Sequence, residues 1–286
     1  MPAKRAADSL TAIRAAYAGQ LMRQAGSDNR RLRDAFAFVA REDHLPAPPW
    51  QTLSWGRQAE AATGDPAALY RNVLVVIDPA RGINNGEPLL HASWMAAVDV
   101  KAGETVCQIG AGTGYYTAIL AELAGVSGRV IAWEIEPDLA AMAAENLAAR
   151  ANVEVVAGDA SATAIAPCDV LYVNAGVRCP PLAWLFALKP GGRLIFPWRP
   201  TVEVALTLLV VRAVSGFAAR PLMGASFIPL GGIGARPDMR LAPEAKSALR
   251  IRSLVLSADR MPDRTAVAIF DDLWFSTADP GKPGSG

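Results

Sequence analysis

Three cysteines and two histidines are all the thiols and imidazoles that the 286 residues offer for crosslinking, zinc ligation or proton relay. Cys107, Cys168 and Cys179 are odd in number and lack paired metal-ligand spacing, so neither a disulfide framework nor a zinc site is expected. Cys107 and Cys168 stand in strand-like contexts and read as small core residues. No nucleophile–base pair suggests itself around His44 or His91. Charge of one sign is also lacking: 28 basic residues face 27 acidic ones, a net charge of +1, which leaves no electrostatic footprint for nucleic acid. Long apolar runs are missing too. The longest, residues 204–211, is far too short to span a bilayer, and residues 1–10 hold no apolar signal region. Arg14, Arg23, Arg30, Arg31 and Arg33 imitate a transit peptide, but Asp8, Asp28 and Asp34 interrupt them. These absences predict a soluble cytoplasmic protein with neither a nucleic-acid nor a membrane partner.

What is present is apolar content, at 52%, enough for a sizeable core in one main domain. Leu10, Ile13, Ala16 or Tyr17, and Leu21 recur at helical spacing. A second helix starts after Asn29 with Leu32, Phe36 and Val39 on one face, and ends before Pro46. Residues 51–80 carry little pattern beyond a short apolar run at 73–77. A loop at 82–88 follows, and Pro88 opens a helix bearing Leu90, Trp94 and Val98. From residue 105 the pattern is regular: strand 105–109, glycine turn, helix 115–124, strand 129–133, helix 138–149, strand 153–157, strand 169–173, a helix at 181–188 and a strand at 193–197. Strands alternating with helices predict parallel βαβ units in a doubly wound sheet. Apolar runs at 203–212 and 217–229 add a closing antiparallel hairpin, giving a Rossmann-like, mostly parallel, seven-stranded α/β sheet. A helix at 243–250 and strands at 254–256 and 265–270 follow. The expected division is a helical cap at 1–80, a core at 81–240, a small appendage at 241–277 and a disordered tail at 278–286.

The stretch Val106-Cys-Gln-Ile-Gly-Ala-Gly-Thr-Gly-Tyr115 organises the rest. A strand runs into Gly110, Gly112 and Gly114 and then into a helix, so backbone can approach a ligand beside unpaired helix-start N–H groups. Glu134 ends the next strand, where a carboxylate can accept from both ribose hydroxyls. NAD enzymes share that feature. A dinucleotide fingerprint, however, needs G-x-G-x-x-G, and its last glycine position is Tyr115 here. Asp159, after the third strand, supplies a second carboxylate suited to an adenine amino group, or alternatively a cap for the next segment. Two acids and a tight glycine turn, with no phosphate to neutralise, describe a binder of S-adenosylmethionine. Glu136 and Asp138 read as helix N-terminal acids instead. Asn174, after the fourth strand, is placed to face the methyl group.

With those residues in view, the chain resembles class I S-adenosylmethionine methyltransferases and, more narrowly, protein-L-isoaspartate O-methyltransferases. The carriers are residues 35–42, 100–115, Gly128-Arg-Val-Ile-Ala-Trp-Glu134 with Pro137, Leu188-Lys-Pro-Gly-Gly-Arg-Leu-Ile-Phe-Pro197 and Ser226-Phe-Ile-Pro-Leu230. The resemblance implies that Gly110, Gly112 and Gly114 shape the cofactor turn with Tyr115 beside them, that Glu134 holds the ribose and that Asp159 lies near the adenine. It also implies a substrate loop before the third helix, reading Gly-Gln-Thr-Ile-Ser-x-Pro in the family and Gly82-Ile83-Asn84-Asn85-Gly86-Glu87-Pro88 here. Asn84 and Gly86 stand where the family's hydroxyl residues lie by the substrate. Asn84 can still donate to a carboxylate; Gly86 has no side chain to do so.

An ionised carboxylate acceptor needs no general base, so a chain this poor in histidine suits carboxyl methylation of a protein, peptide or small-molecule acceptor. The alternatives are an O- or N-methyltransferase acting on a small molecule or modified peptide, with His91 as its base, and a non-catalytic adapter that only binds the cofactor. The candidate catalytic residues are thus Asn84, Asn85 and His91.

Overall fold

The computed structural model of the chain describes residues 2–54, 59–225 and 238–281. The chain passes repeatedly between two compact units, one built from Met1–Gly103, Ala111–Val130 and Asp138–Val155, the other from Glu104–Gly110, Ile131–Pro137 and Val156–Gly286.

The first unit is mainly helical. In α1 (Pro2–Gln24) Tyr17 and Leu21 of the expected stripe are buried, with Ala18 and Met22 beside them, while Leu10 and Ile13 are half-buried. Asn29 caps α2 (Arg30–Phe38), its side chain accepting from the Leu32 N–H at 3.1 Å. Phe36 of α2 meets Tyr17 edge-on at 6.5 Å. The poorly patterned region contributes β1 (Thr52–Leu53) and β2 (Leu74–Asp78) to a small antiparallel sheet, and β3 (Ile83–Asn84), within the stretch expected as a loop, pairs with β2 to complete the order β1-β2-β3. Leu45, Trp50, Leu69 and Val75 form its core. Pro88 opens α3 (Pro88–Val98), as expected. This unit also takes in α4 (Tyr115–Ala124) and α5 (Pro137–Asn146) beyond its first residue.

The second unit contains, wholly or in part, every strand of the large sheet: β4 (Thr105–Ile109), β5 (Arg129–Glu134), β6 (Val153–Ala157), β7 (Cys168–Val173), β8 (Leu188–Trp198), β9 (Leu206–Arg212), β10 (Phe217–Gly224), β11 (Met239–Leu241), β12 (Ser253–Leu256), β13 (Ala266–Phe270) and β14 (Leu273–Ser276). Two short helices, α6 (Leu182–Ala187) and α7 (Ala245–Ala248), accompany them. The strand order is β11-β13-β14-β12-β10-β9-β8-β7-β4-β5-β6. β7 runs parallel to both β4 and β8, while β8, β9 and β10 form the predicted antiparallel closure.

The α/β class stands, but the sheet is wider than seven strands. β12 pairs with β10 through Leu254 and Phe217, so the strands after Leu241 extend the sheet beyond its hairpin edge. Trp198 on β8 and Phe275 on β14, with ring centroids 4.7 Å apart, share one core. Residues 226–229 of the expected hairpin, the 226–230 motif and residues 282–286 of the expected tail lie outside the described residues. The start of that tail is held: the Ala278 N–H donates to Ser276 Oγ at 3.0 Å, and Asp279 pairs with Arg252 at 2.8 Å. Among the described residues no helix is long and apolar enough to cross a membrane.

Candidate active site

Within the second unit, backbone hydrogen bonds bring together the residues that end four strands. The Gly110 N–H donates to the Trp133 carbonyl at 2.9 Å and the Gly158 N–H to the Glu134 carbonyl at 2.8 Å. The Asn174 N–H donates to the Ile109 carbonyl at 2.8 Å. Gly110, Glu134, Asp159 and Asn174 therefore stand at the carboxyl ends of β4, β5, β6 and β7, where open α/β sheets bind ligands. Gly110 has φ +79°, and a Cβ there would lie 3.3 Å from Asn174 Cβ. Asn174 Nδ2 donates to the Gly110 carbonyl at 3.0 Å, which fixes the amide's orientation. Its Oδ1 is buried and, among the described residues, has no protein partner. This is an acceptor in need of an N–H donor.

Glu134 is 5% exposed, and its Oε1 accepts from the Glu136 N–H at 3.1 Å. Asp159 Oδ1 accepts from Ser161 N at 2.8 Å and from Ser161 Oγ at 2.6 Å. The capping alternative for Asp159 is thus realised. Asp138 sits in the first turn of α5, as expected of a helix N-terminal acid.

The rest of the glycine turn belongs to the first unit. Gly112 has open space where a Cβ would stand, so backbone is accessible there. Gly114, at φ +94°, would drive a Cβ to 2.9 Å from Leu147 Cδ1, so it serves helix packing. Tyr115 is the first residue of α4 and 2% exposed. Its ring meets His44 and Tyr116 with centroids 5.9 and 5.0 Å away, and Arg41 Cζ lies 5.8 Å from its centroid. What Tyr115 can offer a cofactor is the N–H of a helix start, not its side chain.

The 82–88 loop is also in the first unit, and it is tightly built. Asn84 Oδ1 accepts from the Gly86 N–H at 3.0 Å. Asn85 Oδ1 accepts from the Val75 N–H and from Arg41 Nη2, both at 2.9 Å. Tyr116 Oη donates to the Gly86 carbonyl at 3.1 Å, and the His91 ring stacks on Tyr116 at 3.6 Å. Gly86 has φ +77°, and a Cβ there would lie 2.6 Å from His91 Nε2. His91 and Tyr116 thus occupy the space that a serine side chain would need. Arg41 and Tyr116 were not singled out from the sequence. Arg41 entered the sequence reading only within the 35–42 segment that carries the resemblance, and only the folded chain shows it to be fully buried.

His91 is 1% exposed, stacked on Tyr116 and edge-on to Trp94. Burial first, then the Arg41 charge, lowers its pKa to about 3. It is neutral at physiological pH, and the general-base role considered for it is not supported by this setting. The depressed pKa has a consequence for stability. Below the unfolded value of about 6.5 the unfolded chain takes up a proton that the native chain refuses, until the pH reaches the folded value. Native stability therefore falls as the pH drops from about 6.5 toward 3, by up to about 1.4 kcal/mol per pH unit for this group. Denaturant melts of His91→Gln across that window should show a slope smaller by one proton than wild type. An unchanged slope would mean that His91 titrates normally.

A family model described as Protein-L-isoaspartate(D-aspartate) O-methyltransferase matches residues 20–234, about three quarters of the chain. A protein-L-isoaspartate O-methyltransferase of Aeropyrum pernix is 32% identical over 249 residues, covering 84% of this chain and 87% of its own. Protein-L-isoaspartate O-methyltransferase 1 of Archaeoglobus fulgidus is 35% identical over 176 residues, covering 59% and 80%. Among solved structures, a protein-L-isoaspartate O-methyltransferase superposes with a TM-score of 0.68 at 21% identity, covering 92% of this chain and 87% of its own. A Plasmodium falciparum structure titled a putative protein-L-isoaspartate O-methyltransferase, in complex with S-adenosyl-L-homocysteine, gives 0.62 at 18% identity, covering 76% and 98%. Both superpositions concern the fold.

Proposed function

The chain belongs to the protein-L-isoaspartate O-methyltransferase family, and from that membership we propose that it methylates the free carboxylate of an isoaspartyl residue, with Glu134 and Asn174 holding the donor and the 82–88 loop holding the acceptor. It is an S-adenosylmethionine-dependent carboxyl methyltransferase whose substrates are proteins or peptides.

The observation that carries the site assignment is the set of strand ends in the second unit. The Glu134 carboxylate suits a ribose diol, and the unpaired Asn174 Oδ1 suits the cationic amine of an amino-acid moiety. Gly110 and Gly112 keep the turn free of side chains, and Asp159 flanks the adenine. When bound, S-adenosylmethionine supplies a methyl carbon already activated by a positively charged sulfur.

The chain's own residues are then left with binding and orientation. An acceptor carboxylate, with an ordinary pKa of about 4, is ionised at neutral pH and already nucleophilic. No proton has to be removed, which accords with a buried, neutral His91. Alignment can supply on the order of 7–11 kcal/mol of the barrier reduction. Asn84, half-buried in the loop, has its oxygen engaged by the Gly86 N–H and so presents its amide N–H groups to the acceptor.

The test is transfer of labelled methyl from S-adenosylmethionine to a peptide with one isoaspartyl linkage, against its aspartyl twin. Incorporation into the isoaspartyl peptide alone is expected. Equal labelling of the two, or labelling of neither, would count against the acceptor assignment.

A further inference from the structure

We propose that Arg41 and Asn85 are a positioning pair that sets the acceptor loop and biases it toward a carboxylate, a role that rests on the assignment of residues 82–88 as that loop. Arg41 is fully buried, and among the described residues no carboxylate pairs with it. Its Nη1 donates to the Leu69 carbonyl and its Nη2 to the Val73 carbonyl, both at 2.7 Å. Among the described residues the one side-chain acceptor its guanidinium meets is Asn85 Oδ1, at 2.9 Å, while its backbone N–H donates to Tyr70 Oη at 3.1 Å. A buried cation without a counterion is costly, and only well-made hydrogen bonds hold it there.

Asn85 fastens this charge to the loop. Its N–H donates to the Val75 carbonyl at 3.0 Å while its Oδ1 accepts from the Val75 N–H at 2.9 Å, so one residue engages both backbone groups of a β2 residue. Because two donors converge on one end of the amide, that end is the oxygen. The pairing continues the β2–β3 ladder one residue past Asn84. Gly86 is held next, through Asn84 Oδ1 and Tyr116 Oη. Three successive loop residues are thereby fixed, with Asn84 left as a donor and a positive charge behind Asn85.

The family's substrate loop has isoleucine where Asn85 stands, and an isoleucine side chain can accept no hydrogen bond. The coupling of a buried arginine to the loop through that position belongs to this chain's own sequence. Its consequence is an acceptor site that is preformed and favours negative charge, without the loop hydroxyls that Asn84 and Gly86 replace.

The experiment compares Asn85→Ile with Asn85→Asp in the full chain. Aspartate keeps both acceptor contacts and gives Arg41 a counterion, whereas isoleucine removes them. For the isoaspartyl peptide, Asn85→Ile should raise KM at least tenfold on the order of one lost charged hydrogen bond, with kcat and the calorimetric Kd for S-adenosylmethionine changed by less than about threefold. Asn85→Asp should stay near wild type in all three. Hydrogen exchange at residues 84–86 should be fast in Asn85→Ile and protected in wild type and Asn85→Asp. Wild-type KM and exchange in Asn85→Ile, an equal loss of cofactor binding, or failure of Asn85→Asp to rescue would each overturn the proposal. Absence of turnover in wild type would count against the acceptor assignment, and the exchange pattern would still decide the pair.

Discussion

Glu134→Gln lowers the affinity for S-adenosylmethionine roughly 100-fold, a loss of about 3 kcal/mol, with little effect on the fold. Glutamine is nearly the same size, and its amide oxygen can keep the 3.1 Å bond from the Glu136 N–H. What it loses is the negative charge and one of the two acceptor oxygens. Each hydrogen bond from a hydroxyl to an ionised carboxylate contributes roughly 1.5–3 kcal/mol, more than its neutral counterpart. The end of β5 is buried, so solvent screens this little. Calorimetric titration of both proteins measures the difference, and thermal melting of the ligand-free proteins provides the control. A Kd within threefold of wild type would remove Glu134 from the cofactor site. A large drop in melting temperature would assign it to folding instead.

The second large effect comes from restoring the family's residue in the loop. Gly86→Ser should destabilise the chain by about 3 kcal/mol, which for a protein of this size lowers Tm by roughly 6 to 10 °C. Part of the cost is the left-handed backbone at φ +77°, which a serine adopts only with strain. The rest is steric, because the added Cβ would stand 2.6 Å from His91 Nε2 and 3.1 Å from Tyr116 Cε2, and the two rings are stacked on each other. Gly86→Ala should be as damaging, since the hydroxyl is not the problem. Adding His91→Ala to Gly86→Ser should recover about 1 kcal/mol or more relative to the sum of the single changes. Strict additivity in that cycle would show that the histidine and the glycine are not fitted to each other.

The strand ends and the 82–88 loop were unequally legible in the sequence. The stretch from Thr105 to Ala157 could be read because its signals are local: apolar runs of strand length, glycines at a strand end and an acid closing the next strand. The small sheet of the first unit could not, since β1 and β3 are two residues long and carry no period. β14 was missed for a related reason, its four residues all being buried and so showing no alternation. Asn84, Gly86 and His91 were visible as unusual residues, but not as parts of one structure. That Gly86 lies against His91 depends on how the loop meets α3, and that Arg41 is buried depends on carbonyls at Leu69 and Val73 far along the chain. The departure from the family's loop reads in sequence as lost hydroxyls. In the folded chain the hydroxyl residues give way to Asn84 and to a glycine packed against an aromatic stack, and the isoleucine to an asparagine bound to a buried cation.

If the methyl group goes to a carboxylate oxygen with no base taking part, the chemical nature of the product shows it most directly. After one turnover on the isoaspartyl peptide with methyl-labelled donor, mild base should release the label as methanol, as it does from any methyl ester. Label that stays on the peptide through mild base would place the methyl group on nitrogen, sulfur or an ether oxygen, and would contradict the account.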